Sequence, residues 1–177
     1  MRRKRLLTRI LMTLIATAIL MVCATGLSYG TISKNAVGYV NSYDGLTLRK
    51  SYSTSSAALA YLDDNQKLTI ISEVFTVKGS TKKSNKWLKV SCNGMTGYVR
   101  SDYVDGIKYT KVYGKTTCAL TVRKGPGSSF ESVSKTEACK NYGIYMKASY
   151  KGGTSWYKIY KDGYYRYVNS EYFTDTG

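Results

Sequence analysis

The chain contains no histidine, and its 11 acidic residues stand against 27 basic ones. Without an imidazole, the Ser–His and Cys–His pairs that activate a nucleophile are unavailable, and most catalytic zinc sites lose a ligand. The one adjacent acidic pair is Asp63-Asp64. Neighbours on an extended chain point to opposite faces, so these two carboxyls make a poor acid–base couple. The expectation is therefore no catalytic residue, no metal and no cofactor. Beyond the first 30 residues there is also no long apolar run and no sustained helical period.

The N-terminus departs from this pattern. Arg2, Arg3, Lys4, Arg5 and Arg9 precede an apolar stretch from Ile10 to Ala24, broken only by Thr13 and Thr17. A basic start followed by a short apolar run reads as a secretory signal over residues 1–30, with small residues permitting cleavage after Gly26 or Gly30. The alternative is an uncleaved anchor, although the run is short for a span of about 20 residues. Cys23 follows Leu20-Met21-Val22, which lacks the small residues of a lipid-attachment site. The expected location is outside the cell, associated with the wall.

Removing residues 1–30 leaves 22 basic residues against the same 11 acids. An exported chain with this excess meets anionic surfaces. Wall polyanions fit that setting; nucleic acid does not. Scattered lysines that protect strand edges are the simpler reading, and they account less well for so large an excess. Three cysteines remain, Cys92, Cys118 and Cys139. An odd number allows at most one internal bridge. Cys118–Cys139 is the candidate disulfide, and three reduced thiols are the alternative.

One pattern is written twice. Leu46-Thr47-Leu48-Arg49-Lys50 recurs as Leu120-Thr121-Val122-Arg123-Lys124, and Trp87-Leu88-Lys89-Val90 as Trp156-Tyr157-Lys158-Ile159. Asn93-Gly94 recurs as Asp162-Gly163. The run from Tyr98 to Val104 recurs from Tyr167 to Phe173. The first copy is longer by a few residues, which the polar stretch Lys78–Lys86 accommodates as a surface loop. Alternating apolar positions read as strands. The two Asx-Gly pairs read as tight hairpin turns. Lys67–Val77 and Tyr142–Ala148 are further strands, and Ser55–Leu62, with its alanines and leucine, reads as a helical turn or short helix. Asp105–Tyr109 reads as a short connection that leaves the copies touching. The expected fold is all-β: two tandem small barrels after an N-terminal hydrophobic segment, over residues 36–105 and 110–174.

At these residues the chain resembles bacterial SH3-like domains, which read roughly as L-x-V-R-x-G-P, then W-x-K-V, then G-W/Y-V-x-S-x-Y-L. Leu120 to Pro126 match the opening motif; the first copy has Ser51-Tyr52 where the second has Gly125-Pro126. The first copy keeps Gly97-Tyr98-Val99, whereas Arg166 stands in place of the glycine in the second. The resemblance implies SH3-like barrels that target proteins to peptidoglycan, and it makes Arg49 and Arg123 structural residues.

There are 18 tyrosines and only 3 phenylalanines. Tyrosine joins an apolar ring to a hydroxyl and suits sugar faces and peptide backbones at a wet surface, though many tyrosines serve as cross-strand partners. Trp156, Lys158 and Tyr160 share one strand face, expected to be half exposed and suited to an anionic ligand. Tyr164, Tyr165 and Arg166 follow a turn. In the first copy Tyr39, Tyr43 and Lys50 are the candidates. The expected ligand is peptidoglycan peptide or an anionic wall polymer, bound without catalysis. The competing reading is an adaptor or inhibitor that binds another envelope protein.

Overall fold

The computed structural model describes residues 34–176, and the N-terminal segment read as a signal or hydrophobic helix lies outside them. The described chain is all-β. Seven strands come first: β1 (Ala36–Val40), β2 (Leu46–Arg49), β3 (Ala58–Leu62), β4 (Lys67–Phe75), β5 (Lys86–Cys92), β6 (Met95–Arg100) and β7 (Val104–Lys108). Seven more follow: β8 (Val112–Thr116), β9 (Thr121–Arg123), β10 (Ser132–Lys135), β11 (Asn141–Tyr150), β12 (Trp156–Lys161), β13 (Tyr164–Asn169) and β14 (Phe173–Asp175).

Neighbouring strands in the first seven run β7-β1-β4-β5-β6-β2-β3, and in the second seven β14-β8-β11-β12-β13-β9-β10. The order is the same, seven elements on. The likeness extends to irregularities. β4 pairs with β5 through a bulge between Ile70 and Ser72, and β11 pairs with β12 through one between Ile144 and Met146. A bulge inserts one residue and bends the strand, so both long strands bend at equivalent points. Asn93-Gly94 and Asp162-Gly163 all have positive φ, as a two-residue hairpin turn of the primed type requires. The extra residues of the first copy fall between β4 and β5, in the loop read from the sequence.

Three expectations need correction. Among the described residues the strands form one continuous sheet of 14 strands rather than two closed barrels. The join is a parallel pairing of β4 with β11, Ser72–Phe75 against Lys147–Tyr150. β1 covers β4 only from Lys67 to Ile70, and β8 covers β11 only from Asn141 to Ile144. The second half of each long strand is left with unpaired N–H and C=O groups, and each satisfies the other. Apart from this seam, strand pairings stay within their own half. The span Ser55–Leu62 is not helical: Ala58–Leu62 is β3, with Leu46 opposite Leu62 and Leu48 opposite Ala60. The helix propensity of alanine and leucine amounts to a few tenths of a kcal/mol per residue (~0.5) and yields to a ladder already positioned by β2. In addition, most of Asp105–Tyr109 is not a connection but strand β7, whose Lys108 lies opposite Val37.

Leu46, Leu48, Leu62, Leu68, Ile70, Leu88, Val90 and Val99 form the first core, which Met146 joins from the other half. Leu120, Val122, Ile144, Tyr157, Ile159, Val168 and Phe173 form the second. A third cluster, Phe75, Phe130, Ala148 and Tyr167, lies between them. Phe75 packs edge-on against both Phe130 and Tyr167, at centroid distances of 5.6 and 5.4 Å.

Arg49 and Arg123 are structural, and they act alike. Arg49 Nη1 donates to the carbonyl of Ser56 at 2.8 Å, and Arg123 Nη1 to that of Phe130 at 2.8 Å. Each arginine closes the loop that follows its own strand onto a carbonyl seven residues ahead. Arg166 does not disturb β13, which stays in register with β12 from Tyr164 to Asn169. At the equivalent Gly97 a side chain is excluded, because a Cβ would lie 2.7 Å from the Arg49 carbonyl oxygen.

Candidate functional site

The strand β12 alternates as its sequence implies. Tyr157 and Ile159 enter the second core, so Trp156, Lys158 and Tyr160 take the other face. That face was expected to be half exposed. Instead most of it is turned toward the first half. Met146, Lys158 and Tyr167 sit opposite one another across β11, β12 and β13. Met146 packs into the first core, Trp156 is half-buried, and Lys158 is only 4% exposed. Only Tyr160, at the far end of the strand, is well exposed (54%).

Lys158 ends in a constructed polar site. Its Nζ donates to Glu73 Oε1 at 2.6 Å and to the Tyr109 hydroxyl at 2.8 Å. The rings of Tyr109, Tyr165 and Tyr167 surround it, with centroids 4.7, 5.1 and 5.9 Å away. Glu73, 1% exposed, also accepts from Lys86 Nζ at 3.3 Å and from the Tyr167 hydroxyl at 2.7 Å. Burial alone would raise the Glu73 pKa. The two ammonium groups and the two strong hydrogen bonds outweigh it and pull the carboxyl down to about 2. Burial raises the Tyr167 and Tyr109 phenols, and the nearby carboxylate adds to it, so both stay neutral donors or acceptors.

Above this hub lies a cleft of about 250 Å³, lined by Phe75, Thr81 and Lys86 from the first half and Lys124, Lys158, Tyr165, Arg166 and Tyr167 from the second. Beside it is a ledge of tyrosines. Tyr165 contacts Tyr109, Tyr145 and Tyr160, all at centroid distances of 5.2 to 5.3 Å. Tyr160 and Tyr164 are its exposed edge, and the Arg166 guanidinium lies 4.5 Å over the Tyr164 ring.

Of the residues singled out from sequence, Lys158, Tyr165 and Arg166 line this cleft, and Tyr160 and Tyr164 flank it. Trp156 packs against the inter-half aromatic cluster. Tyr39, Tyr43 and Lys50 lie elsewhere. Tyr39 is on β1 opposite Asp105. Tyr43 and Lys50 adjoin residues of a second groove, of about 350 Å³, which includes Asp44, Arg49, Tyr61, Trp87, Arg100 and Tyr103. Glu73, Lys86, Tyr109 and Lys124 were not legible as site residues, because each meets the site only through the contact between halves. Of the cysteines weighed as a disulfide, Cys139 is exposed in a turn at φ 55°, and Cys118 packs against the second core.

The sequence model described as bacterial SH3 domain matches residues 44–105. A search of curated proteins finds no match. Among solved structures the chain is similar to NlpC2 and NlpC1 from Trichomonas vaginalis. The identities are 14% and 12%, over 81% and 82% of this chain and 49% and 48% of those chains, each with a TM-score of 0.36. The chain thus spans about half the length of either. It is also similar to a putative autolysin from Listeria monocytogenes, at 18% identity over 82% of this chain and 66% of that one, with a TM-score of 0.29.

Proposed function

We propose, from the premise that residues 44–105 are a bacterial SH3 domain, that this chain is an exported, non-catalytic binding protein of the cell envelope. Residues 110–174 are read as a second module of the same kind. The repeated strand order, the paired bulges and the two arginine clamps support that reading.

The observation that carries the binding role is the exposed edge of Tyr160 and Tyr164 next to a cleft with four cationic side chains. Aromatic faces suit sugar rings and peptide planes. Cations with low-dielectric walls raise the local concentration of anions. The ligand is peptidoglycan peptide or an anionic polymer held in the wall. Two observations favour binding over chemistry. Asp64 is occupied in a turn, accepting from the Ser42 N–H at 2.9 Å. Cys92 is buried, and its thiol donates to the Lys67 carbonyl.

The test is co-sedimentation with purified, enzyme-free walls. The protein pellets at low salt and is released progressively as salt rises. A protein that stays in the supernatant at low salt overturns the reading.

A further inference from the structure

The floor of the cleft between the halves carries more positive than negative charge. Lys86 Nζ and Lys158 Nζ both bind Glu73, and both reach the same oxygen, Oε1. The other oxygen is occupied by the Tyr167 hydroxyl, which is neutral. Two ammonium groups therefore share one carboxylate, and one of the two is almost fully buried. An excess charge with little access to water is costly unless an anion completes it.

The walls add to the excess. Lys124 has Glu131 as its partner, and that pair faces solvent. Arg166 pairs with no carboxylate among the described residues. Its guanidinium lies over the Tyr164 ring and donates only to the Tyr165 carbonyl, at 3.2 Å. Most of its donors are thus free to serve a ligand. A planar fork of N–H groups matches a phosphate better than a point charge does. Thr81, on the loop by which the first copy exceeds the second, brings a hydroxyl to the same cleft.

We propose that the cleft between the halves is an oxyanion site that seats one phosphate group, free or within the phosphodiester chain of an anionic polymer, between Arg166 and Lys124 and above the Lys86–Glu73–Lys158 floor. The site rests on the envelope-binding reading for the polymer that supplies the phosphate, and on the cleft alone for its chemistry. Because the first half supplies Lys86 and Thr81 and the second supplies Arg166 and Lys124, neither half holds the site by itself.

Calorimetric titration of the full chain with inorganic phosphate and with a glycerol-phosphate polymer, at matched ionic strength, tests this. Both probes bind saturably and compete with each other. Arg166→Ala weakens both about tenfold, as loss of a charge-assisted bond of ~1.5 kcal/mol requires. Arg166→Lys restores part of the loss, Lys124→Ala weakens binding severalfold, and the control Lys34→Ala, at an exposed position, changes it less than about twofold. Absence of saturable phosphate binding overturns the site, as does a loss in Lys34→Ala equal to that in Arg166→Ala. Polymer binding that is indifferent to Arg166 overturns the polymer as its occupant. Wall pelleting is read separately. If phosphate binds and walls do not pellet the protein, the wall-binding reading fails and the oxyanion site stands; the reverse result removes the site alone.

Discussion

Lys158 Nζ lies 2.6 Å from Glu73 Oε1, joining residues 85 positions apart across the seam between the two halves. Both side chains are buried. Such a pair adds little relative to a well-packed apolar substitute, yet breaking it from one side leaves an uncompensated charge inside. Glu73→Ala should therefore cost about 3–5 kcal/mol of stability in denaturant unfolding. Replacing both, Glu73→Leu with Lys158→Met, should cost much less than the sum of the two single changes. A Glu73→Ala protein within about 0.5 kcal/mol of the parent would show that the seam does not depend on this contact.

The same carboxyl sets an acid dependence. Its folded pKa is near 2, below its ordinary value of 4.5, because Lys158, Lys86 and two hydrogen bonds outweigh burial. A depressed pKa means that the unfolded chain takes up the proton first. The contribution is present in full above about pH 4.5 and is lost as pH falls toward 2. Stability measured from pH 6 down to 2 should decline across that window. The Glu73→Gln protein, already destabilised, should show a shallower decline there. Parallel curves for the two proteins would remove Glu73 as the source.

Much of this architecture was legible because it is written twice. The Leu-Thr-Leu-Arg and Leu-Thr-Val-Arg strands, the Asx-Gly turns and the longer loop before β5 recur at matched positions, and matched positions stand out in one sequence. The hub was hidden for the converse reason. Through the shared bulge, Glu73 corresponds to Lys147, whereas Lys158 repeats Lys89, so the hub depends on the one position where a carboxylate replaces a lysine and on the contact between the halves. The seam was hidden too, because an unpaired strand edge consists of backbone groups that carry no side-chain signature. β3 was misread because Ala58, Leu59 and Ala60 are good helix formers placed where β2 offers a ladder.

The loops closed by the two arginines are packed differently, and this predicts an asymmetry. A Cβ on Gly125 would lie 2.2 Å from the Phe130 ring, which is buried against Phe75. Gly125→Ala should cost roughly 1–3 kcal/mol, since the ring has no free volume to enter. At the corresponding Ser51, which is exposed and already carries a side chain, Ser51→Ala should stay within about 0.5 kcal/mol. Equal effects at the two positions would contradict the packing described here.

Thiol labelling separates the cysteines. Cys139 is exposed in its turn, whereas Cys92 is buried and accepts from the Gln66 amide at 3.1 Å. Brief treatment with a maleimide should modify Cys139 in the folded protein and leave Cys92 untouched until the chain is unfolded. Mass spectrometry resolves both sites. A Cys139 that resists labelling until a reductant is added would instead indicate the Cys118–Cys139 bridge.

The tyrosine ledge offers the sharpest test of where a wall ligand is held. Tyr160 and Tyr164 are 54% and 61% exposed, so truncating either removes little packing. Tyr160→Ala and Tyr164→Ala should keep the thermal midpoint of the parent and weaken wall binding about three- to tenfold each, in line with ~0.5–1.5 kcal/mol per aromatic contact. Tyr43 is 98% exposed, on the far loop of the first half and away from the cleft. If the ledge beside the cleft is the binding face, Tyr43→Ala leaves pelleting unchanged. If Tyr43→Ala weakens binding as much as Tyr164→Ala does, the ligand is held along the first half as well, and the groove of Tyr61, Trp87, Arg100 and Tyr103 becomes the surface to mutate next.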